Sequence, residues 1–134
     1  MKKIEQVEID LYRAVLWVYV GSAEDCAKEL SKTQLSERSV NDWKDAADKL
    51  TDTNGMYTHI EDENISILWL ARTPKNIFDY AHLVHETEHY VFYLFDRIGM
   101  EHTGASDESY AYTMAYVFKK IAEIIECSKH RAVS

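Results

Sequence analysis

A long helix is predicted between Pro74 and Gly99. Thr73 followed by Pro74 fits an N-cap with proline at the first helical position, where a missing N–H has no consequence. The helix is expected to run from about Lys75 to Ile98 and to stop at Gly99. We expect the remaining elements to pack along it.

The segment before this helix is predicted to contain strands and two polar surface helices. Residues 4–20 alternate apolar and polar side chains and are interpreted as one strand, although apolar residues at helical spacing leave a helix open as the alternative. Ser22 is expected to cap a helix reaching about Lys32, and Ser39 a second helix over VNDWKDAADKL. The cluster TDTNG at 51–55 predicts a turn.

The residues on either side of the long helix complete the predicted fold. MYTHIEDENISILWLA at 56–71 is interpreted as two strands around an acidic turn at 61–64. A last helix is expected from about Asp107 to Ser128. With 134 residues and no linker composition, the chain predicts a single α+β domain over residues 1–134.

Composition narrows the possible partners and the compartment. The formal net charge of -8 repels phosphate backbones and anionic lipid, so we expect neither a nucleic acid nor a membrane partner. The start of the sequence lacks a signal-peptide pattern, and no apolar run reaches the roughly 18 residues of a spanning helix, which predicts a cytoplasmic protein. Cys26 and Cys127 are isolated, although a single disulfide between them stays open.

The long helix contains the sequence His-Glu-Thr-Glu-His at 85–89. At ~100° per residue, His85 and His89 are ~40° apart around the helix, so their rings can converge on one ion. Two neutral imidazoles at this spacing are typical zinc ligands, and the adjacent Glu86 is placed to take a proton from a water on the ion. A tetrahedral catalytic ion needs one more protein ligand. We expect it to be Glu108, on the first turn of the last helix and separated from His89 by eighteen residues.

This spacing resembles that of the gluzincin metallopeptidases, His-Glu-x-x-His-x18-Glu, and of small phage and prophage proteins of metallopeptidase type. In the latter the last helix begins with an Asp-Glu-x-x-Ala-Tyr-like segment, which is Asp107 to Tyr112 here. The resemblance implies that His85, His89 and Glu108 bind Zn²⁺ and that Glu86 is the general base. It also implies that the strand Ile65–Ala71 lies where such enzymes pair an extended peptide with a sheet edge.

Several further residues have two possible interpretations. Tyr112, one turn after Glu108, is a candidate oxyanion donor or a packing tyrosine, and His82 is a candidate supporting residue or an exposed histidine. Asp79 is interpreted as a solvated residue or as an acceptor for a ligand imidazole. The position that Glu88 occupies is usually uncharged in the family. A buried carboxylate needs a partner, and we expect Arg13 to be the partner of Glu88.

Taken together, the sequence predicts a minimal zincin-like α+β domain that hydrolyses peptide bonds in a peptide or protein substrate. One rival is a di-iron protein, since Glu86-x-x-His89 is also a ferritin-like ligand pair, but a second such pair is missing from the sequence. A second rival is a non-catalytic interaction protein with a structural or vestigial metal site.

Overall fold

Two β-hairpins, each followed by a pair of helices, make up the protein. The computed structural model describes residues 1–50 and 54–133, so residues 51–53 of the predicted turn lie outside the described residues. In chain order the elements are β1 (Glu5–Ile9), β2 (Ala14–Val20), α1 (Ala23–Leu30), α2 (Glu37–Lys49), β3 (Gly55–Ile60), β4 (Ile65–Leu70), α3 (Ile77–Arg97) and α4 (Asp107–Val133). The predicted α+β class is confirmed.

The four strands form one mixed sheet in the order β1-β2-β4-β3. Each hairpin is antiparallel, and the hairpins join through the parallel pair β2 and β4, from Leu16 opposite Ser66 to Val20 opposite Leu70. The prediction that Ile65–Ala71 is a sheet edge is therefore wrong, because β4 lies inside the sheet and β3 forms the edge. All six residues of β4 are buried, as its nearly continuous apolar sequence suggests for a central strand.

The predicted single strand at 4–20 is a hairpin. A one-turn 3-10 helix at Asp10–Tyr12 separates β1 from β2, and Arg13 after it has a left-handed φ of 52°. The second hairpin repeats this turn with a 3-10 helix at Glu61–Glu63 and Asn64 at φ 55°. Asparagine tolerates the left-handed region and arginine gives no such signal, so only the second turn was visible in the sequence.

Helices cover both faces of the sheet, which gives three layers. Alternation along the strands sends Leu16, Val18, Leu68 and Leu70 toward the core shared with α3 and α4. The intervening residues, including Trp17, Ile67 and Trp69, face a second core that α1 and α2 close with Cys26, Leu30, Val40 and Trp43. Helices α3 and α4 thus cover one face of the sheet, as predicted, and the polar surface helices α1 and α2 cover the other.

The helix caps agree with the sequence in part. Ser22 caps α1 by accepting a hydrogen bond from Asp25 N, as predicted. Ser36 rather than Ser39 caps α2, and Asn76 rather than Thr73 caps α3 by accepting from Asp79 N at 2.9 Å. In each case a better-placed polar side chain three residues before the accepting turn takes the cap. Both cysteines are free, and none of the helices in the described ranges combines the length and apolarity needed to cross a bilayer.

Candidate metal centre

His85 and His89 lie one turn apart on the exposed side of α3. Their Nε2 atoms are 3.0 Å apart, and their rings are nearly perpendicular, with centroids 4.6 Å apart. Zinc binds imidazole nitrogen at ~2.05 Å with tetrahedral angles, which places two ligand nitrogens about 3.3 Å apart. The two nitrogens are thus close to the spacing that a single zinc ion requires, and His85 and His89 fit a zinc ion.

Glu86 completes a group whose ligand-capable atoms lie within 4.8 Å of one another. Unlike the two histidines, Glu86 is buried, with 8% of its surface exposed. Its Oε2 accepts a hydrogen bond of 2.6 Å from Tyr57 N, whereas its Oε1 lies 3.9 Å from Nε2 of His82. The carboxylate is therefore anchored to β3 through Oε2, while one of its oxygens lies within 4.8 Å of a ring nitrogen of each histidine.

The partner of Glu86 is the main chain of the edge strand β3. Tyr57 N points away from β4, and one turn earlier on α3 the half-buried His82 places Nε2 3.1 Å from Gly55 O. Because a carbonyl only accepts, this nitrogen of His82 carries the proton. His82 is thus not an exposed histidine: it contacts the main chain of the sheet edge, as Glu86 does. Its role as a supporting residue of a metal site stays a prediction.

Glu108 and Tyr112 are not brought to the histidine pair. Both are exposed, Tyr112 by 73%, and Glu108 does not belong to the group of ligand-capable atoms around His85 and His89. The register of α4 explains this. Tyr110 faces α3, and a step of two residues in either direction turns about 200° around a helix, to the far side. The roles of Glu108 as third ligand and Tyr112 as oxyanion donor stay predictions that this arrangement does not support.

The contact between α3 and α4 uses Glu88 instead. The hydroxyl of Tyr110 donates a hydrogen bond to Glu88 Oε1, and the Tyr110 ring packs edge-on against Phe95. Burial, and secondarily the Glu88 hydrogen bond, raises the pKa of Tyr110, which remains a donor. The predicted partner Arg13 is wrong, because it occupies the exposed turn between β1 and β2.

Asp79, on the first turn of α3, is a buried structural residue. It is 4% exposed and its Oδ1 accepts from Arg72 Nη2 at 2.9 Å. Its Oδ2 accepts from Lys75 N at 3.0 Å. The Arg72 hydrogen bond, followed by the Lys75 amide, lowers the pKa of Asp79. Asn54 Nδ2 also donates to Oδ1, at 3.2 Å. Both sequence interpretations of Asp79 are wrong, since its partners come from the loop before the helix and from the residue before β3.

A polar group that the sequence analysis missed lies further along α3. Nδ1 of His59 is 2.8 Å from Ser66 Oγ, which is also 3.0 Å from the hydroxyl of Tyr57. The His59 ring packs on Tyr93 with centroids 4.1 Å apart, and burial lowers its pKa. The signal was present in the hairpin, because a turn centred on 61–64 places His59 directly opposite Ser66.

Comparison of the chain with protein-family models, curated proteins and solved structures finds no match. The functional argument therefore depends on the residues of the site themselves.

Proposed function

We propose that the protein binds zinc through His85 and His89 and is a metallopeptidase-type hydrolase of a peptide or protein substrate. The observation that carries this proposal is the 3.0 Å separation of the two Nε2 atoms beside a buried carboxylate. The gluzincin-like pattern of the sequence adds to this support, although Glu108 lies outside the group of ligand-capable atoms.

The proposed chemistry assigns separate tasks to the side chains. When bound, zinc supplies Lewis acidity toward a carbonyl oxygen and a water molecule. His85 and His89 hold the ion on the exposed side of α3, where an extended substrate has access. Glu86 would take a proton from the attacking water and return it to the leaving amine. The bond from Tyr57 N keeps the carboxylate in one orientation during both transfers.

Metal analysis of four purified chains tests the zinc site. With zinc in excess, we expect about one zinc ion per chain in the parent and in Glu86→Gln, and a loss of zinc in His85→Ala. His102→Ala is the matched control, because this exposed histidine bonds to Asp107 and does not belong to the group of ligand-capable atoms. Equal zinc content in all four chains would contradict a zinc site at His85 and His89.

Cleavage of an unfolded protein tests the reaction. The zinc-loaded parent should release fragments, and Glu86→Gln, with its zinc retained, should be slower by at least about 100-fold, because general-base catalysis contributes that much. Fragment release at the same rate by both chains would assign the cleavage to another group or to a contaminant.

A second candidate is a non-catalytic zinc-binding interaction protein. It is favoured by the position of Glu108 on the far side of α4 and by the anchoring of Glu86 to the edge strand. This candidate predicts that the parent binds zinc with the same His85 dependence and releases no fragments from any unfolded protein tested.

A further inference from the structure

The solvent side of α3 carries a single charged residue, the half-buried Glu88, over the four turns from Ile77 to Phe92. Between Ile77 and Phe92 the exposed residues fall within an arc of ~140°, at ~100° per residue. We name this the α3 outer face, and it consists of Ile77, Phe78, Ala81, Val84, His85, His89 and Phe92. Three of its side chains are large, apolar and well exposed: Ile77 at 79%, Phe78 at 76% and Phe92 at 58%. These side chains form an exposed apolar strip along the helix, on both sides of the histidine pair.

The acidic residues of the same stretch do not reach solvent freely. Asp79 and Glu86 are buried and bonded to Arg72 and to Tyr57 N. Glu88 lies within the arc, but it is half-buried and accepts a hydrogen bond from Tyr110. The first exposed acid further along the face is Asp96, one turn after Phe92. The α3 outer face thus has no fully exposed carboxylate between Ile77 and Phe92, in a protein of net charge -8.

This charge distribution points to a second copy of the same chain as the partner. Two acidic molecules repel each other over most of their surfaces, and self-association is least opposed where exposed carboxylates are missing. The α3 outer face meets that condition from Ile77 to Phe92.

The metal ligands on this face form half of a complete set. His85 and His89 supply two nitrogens, while Glu86 is anchored to β3 and Glu108 faces away across α4. Zinc in a closed site takes four protein ligands. Two copies of the pair supply four imidazoles, without any ligand from another element.

We propose that two copies pair through the α3 outer face around one zinc ion, which the His85 and His89 side chains of both copies bind. The pairing rests on the zinc site of the proposed function and adds a regulatory state to it. A two-fold axis through the ion makes the two α3 helices cross at the histidines. Phe92, about one turn after His89, then lies near this crossing.

The size of this contact makes the pairing dependent on zinc. The face is about 24 Å long, at ~1.5 Å per residue, and about 10 Å wide, which gives each copy roughly 240 Å². A stable interface buries about 800 Å² per partner, so the apolar contact alone is too small. Without zinc the chain is therefore a monomer.

A zinc ion that joins two chains cannot also take part in hydrolysis. Four imidazoles leave no coordination position for a water or a carbonyl oxygen. The paired state is consequently the inactive one, and it dominates at about half a zinc per chain. Excess zinc gives each chain its own ion and restores the open monomer.

Sedimentation of the full chain, with zinc content measured on the same samples, tests the pairing. The parent should have the monomer mass in EDTA, about twice that mass at about half an equivalent of zinc, and the monomer mass again in excess zinc. Phe92→Glu keeps both histidines but adds a carboxylate to the face, so it should bind zinc and remain a monomer. The matched control is Leu11→Glu, at a side chain 82% exposed on the first hairpin turn, which should pair as the parent does.

The outcomes separate this proposal from the proposed function. A parent that binds zinc but keeps the monomer mass at every ratio overturns the pairing and leaves the zinc site intact. A parent that binds no zinc removes the zinc site and the pairing with it. A doubled mass in EDTA, or in Phe92→Glu with zinc, contradicts a zinc bridge on the α3 outer face.

Discussion

Three acidic side chains of α3 have three different environments, although the sequence presents them on one helix. Asp79 bonds to Arg72 of the preceding loop, Glu86 to the main chain of β3 and Glu88 to Tyr110 of α4. The helical periodicity determines the direction of each side chain. It cannot identify a partner that comes from another element, which is why the expected partners of Asp79 and Glu88 were wrong.

The pH dependence of stability tests the Asp79 environment. The pKa of Asp79 is lowered in the folded chain by Arg72 and by Lys75 N, while an unfolded aspartate has a pKa of ~3.9. The stabilisation is therefore complete above about pH 4 and is lost as the pH falls through the lower folded value. In Asp79→Asn, the free energy of unfolding should fall less steeply below pH 4 than in the parent. Asp96 is an exposed acid of the same helix, and in Asp96→Asn the free energy of unfolding should fall with pH as it does in the parent. Urea denaturation at each pH measures the free energy of unfolding of all three chains.

Removing the hydroxyl of Tyr110 tests the contact between α3 and α4. Tyr110→Phe leaves the half-buried Glu88 without its donor, so the free energy of unfolding should decrease by about 1 kcal/mol. Tyr112→Phe removes a hydroxyl from a side chain that is 73% exposed, and should change it by less than about 0.5 kcal/mol. Equal effects of the two changes in urea denaturation would contradict the bond to Glu88.

At the scale of elements, α3 acts on the edge of the sheet as well as on the core. His82 and Glu86 contact main-chain groups of the edge strand β3 at Gly55 and Tyr57. Glu86 therefore has a structural role in addition to the catalytic one proposed. The gluzincin-like pattern directed attention to the second role, and only the position of β3 shows the first.

Two substitutions of Glu86 separate these roles. Glu86→Gln keeps an oxygen that can accept from Tyr57 N, so its free energy of unfolding should stay within about 1 kcal/mol of the parent. Glu86→Ala leaves that buried N–H without an acceptor and should lose about 1 to 3 kcal/mol. Thermal and urea unfolding of the zinc-free chains measure both effects. Identical stability of the two variants would show that the bond to Tyr57 does not stabilise the fold.

For the whole molecule, the site lies on the outside of a three-layer core and does not depend on metal for its helix. Zinc that binds only the folded chain should stabilise it by RT ln(1 + [Zn]/Kd), about 2.7 kcal/mol at a free concentration 100 times Kd. The melting temperature of the parent should accordingly rise with zinc. His85→Ala should melt at a temperature that zinc does not change, and calorimetry with and without EDTA measures both. A zinc-dependent rise in His85→Ala would place the ion elsewhere.

The sequence by itself determined the α+β class, the second hairpin, the cap of α1, the approximate course of α3 and the histidine pair. These follow from local rules: alternation along strands, capping side chains and the 3.6-residue turn that brings His85 beside His89. The tertiary structure decided that β4 is internal, that Glu86 bonds to β3 and that α4 turns Tyr110 rather than Glu108 toward α3. These outcomes depend on how distant elements share buried surface. A spacing of eighteen residues fixes the distance along the chain to Glu108, but not the side of the helix on which it lies.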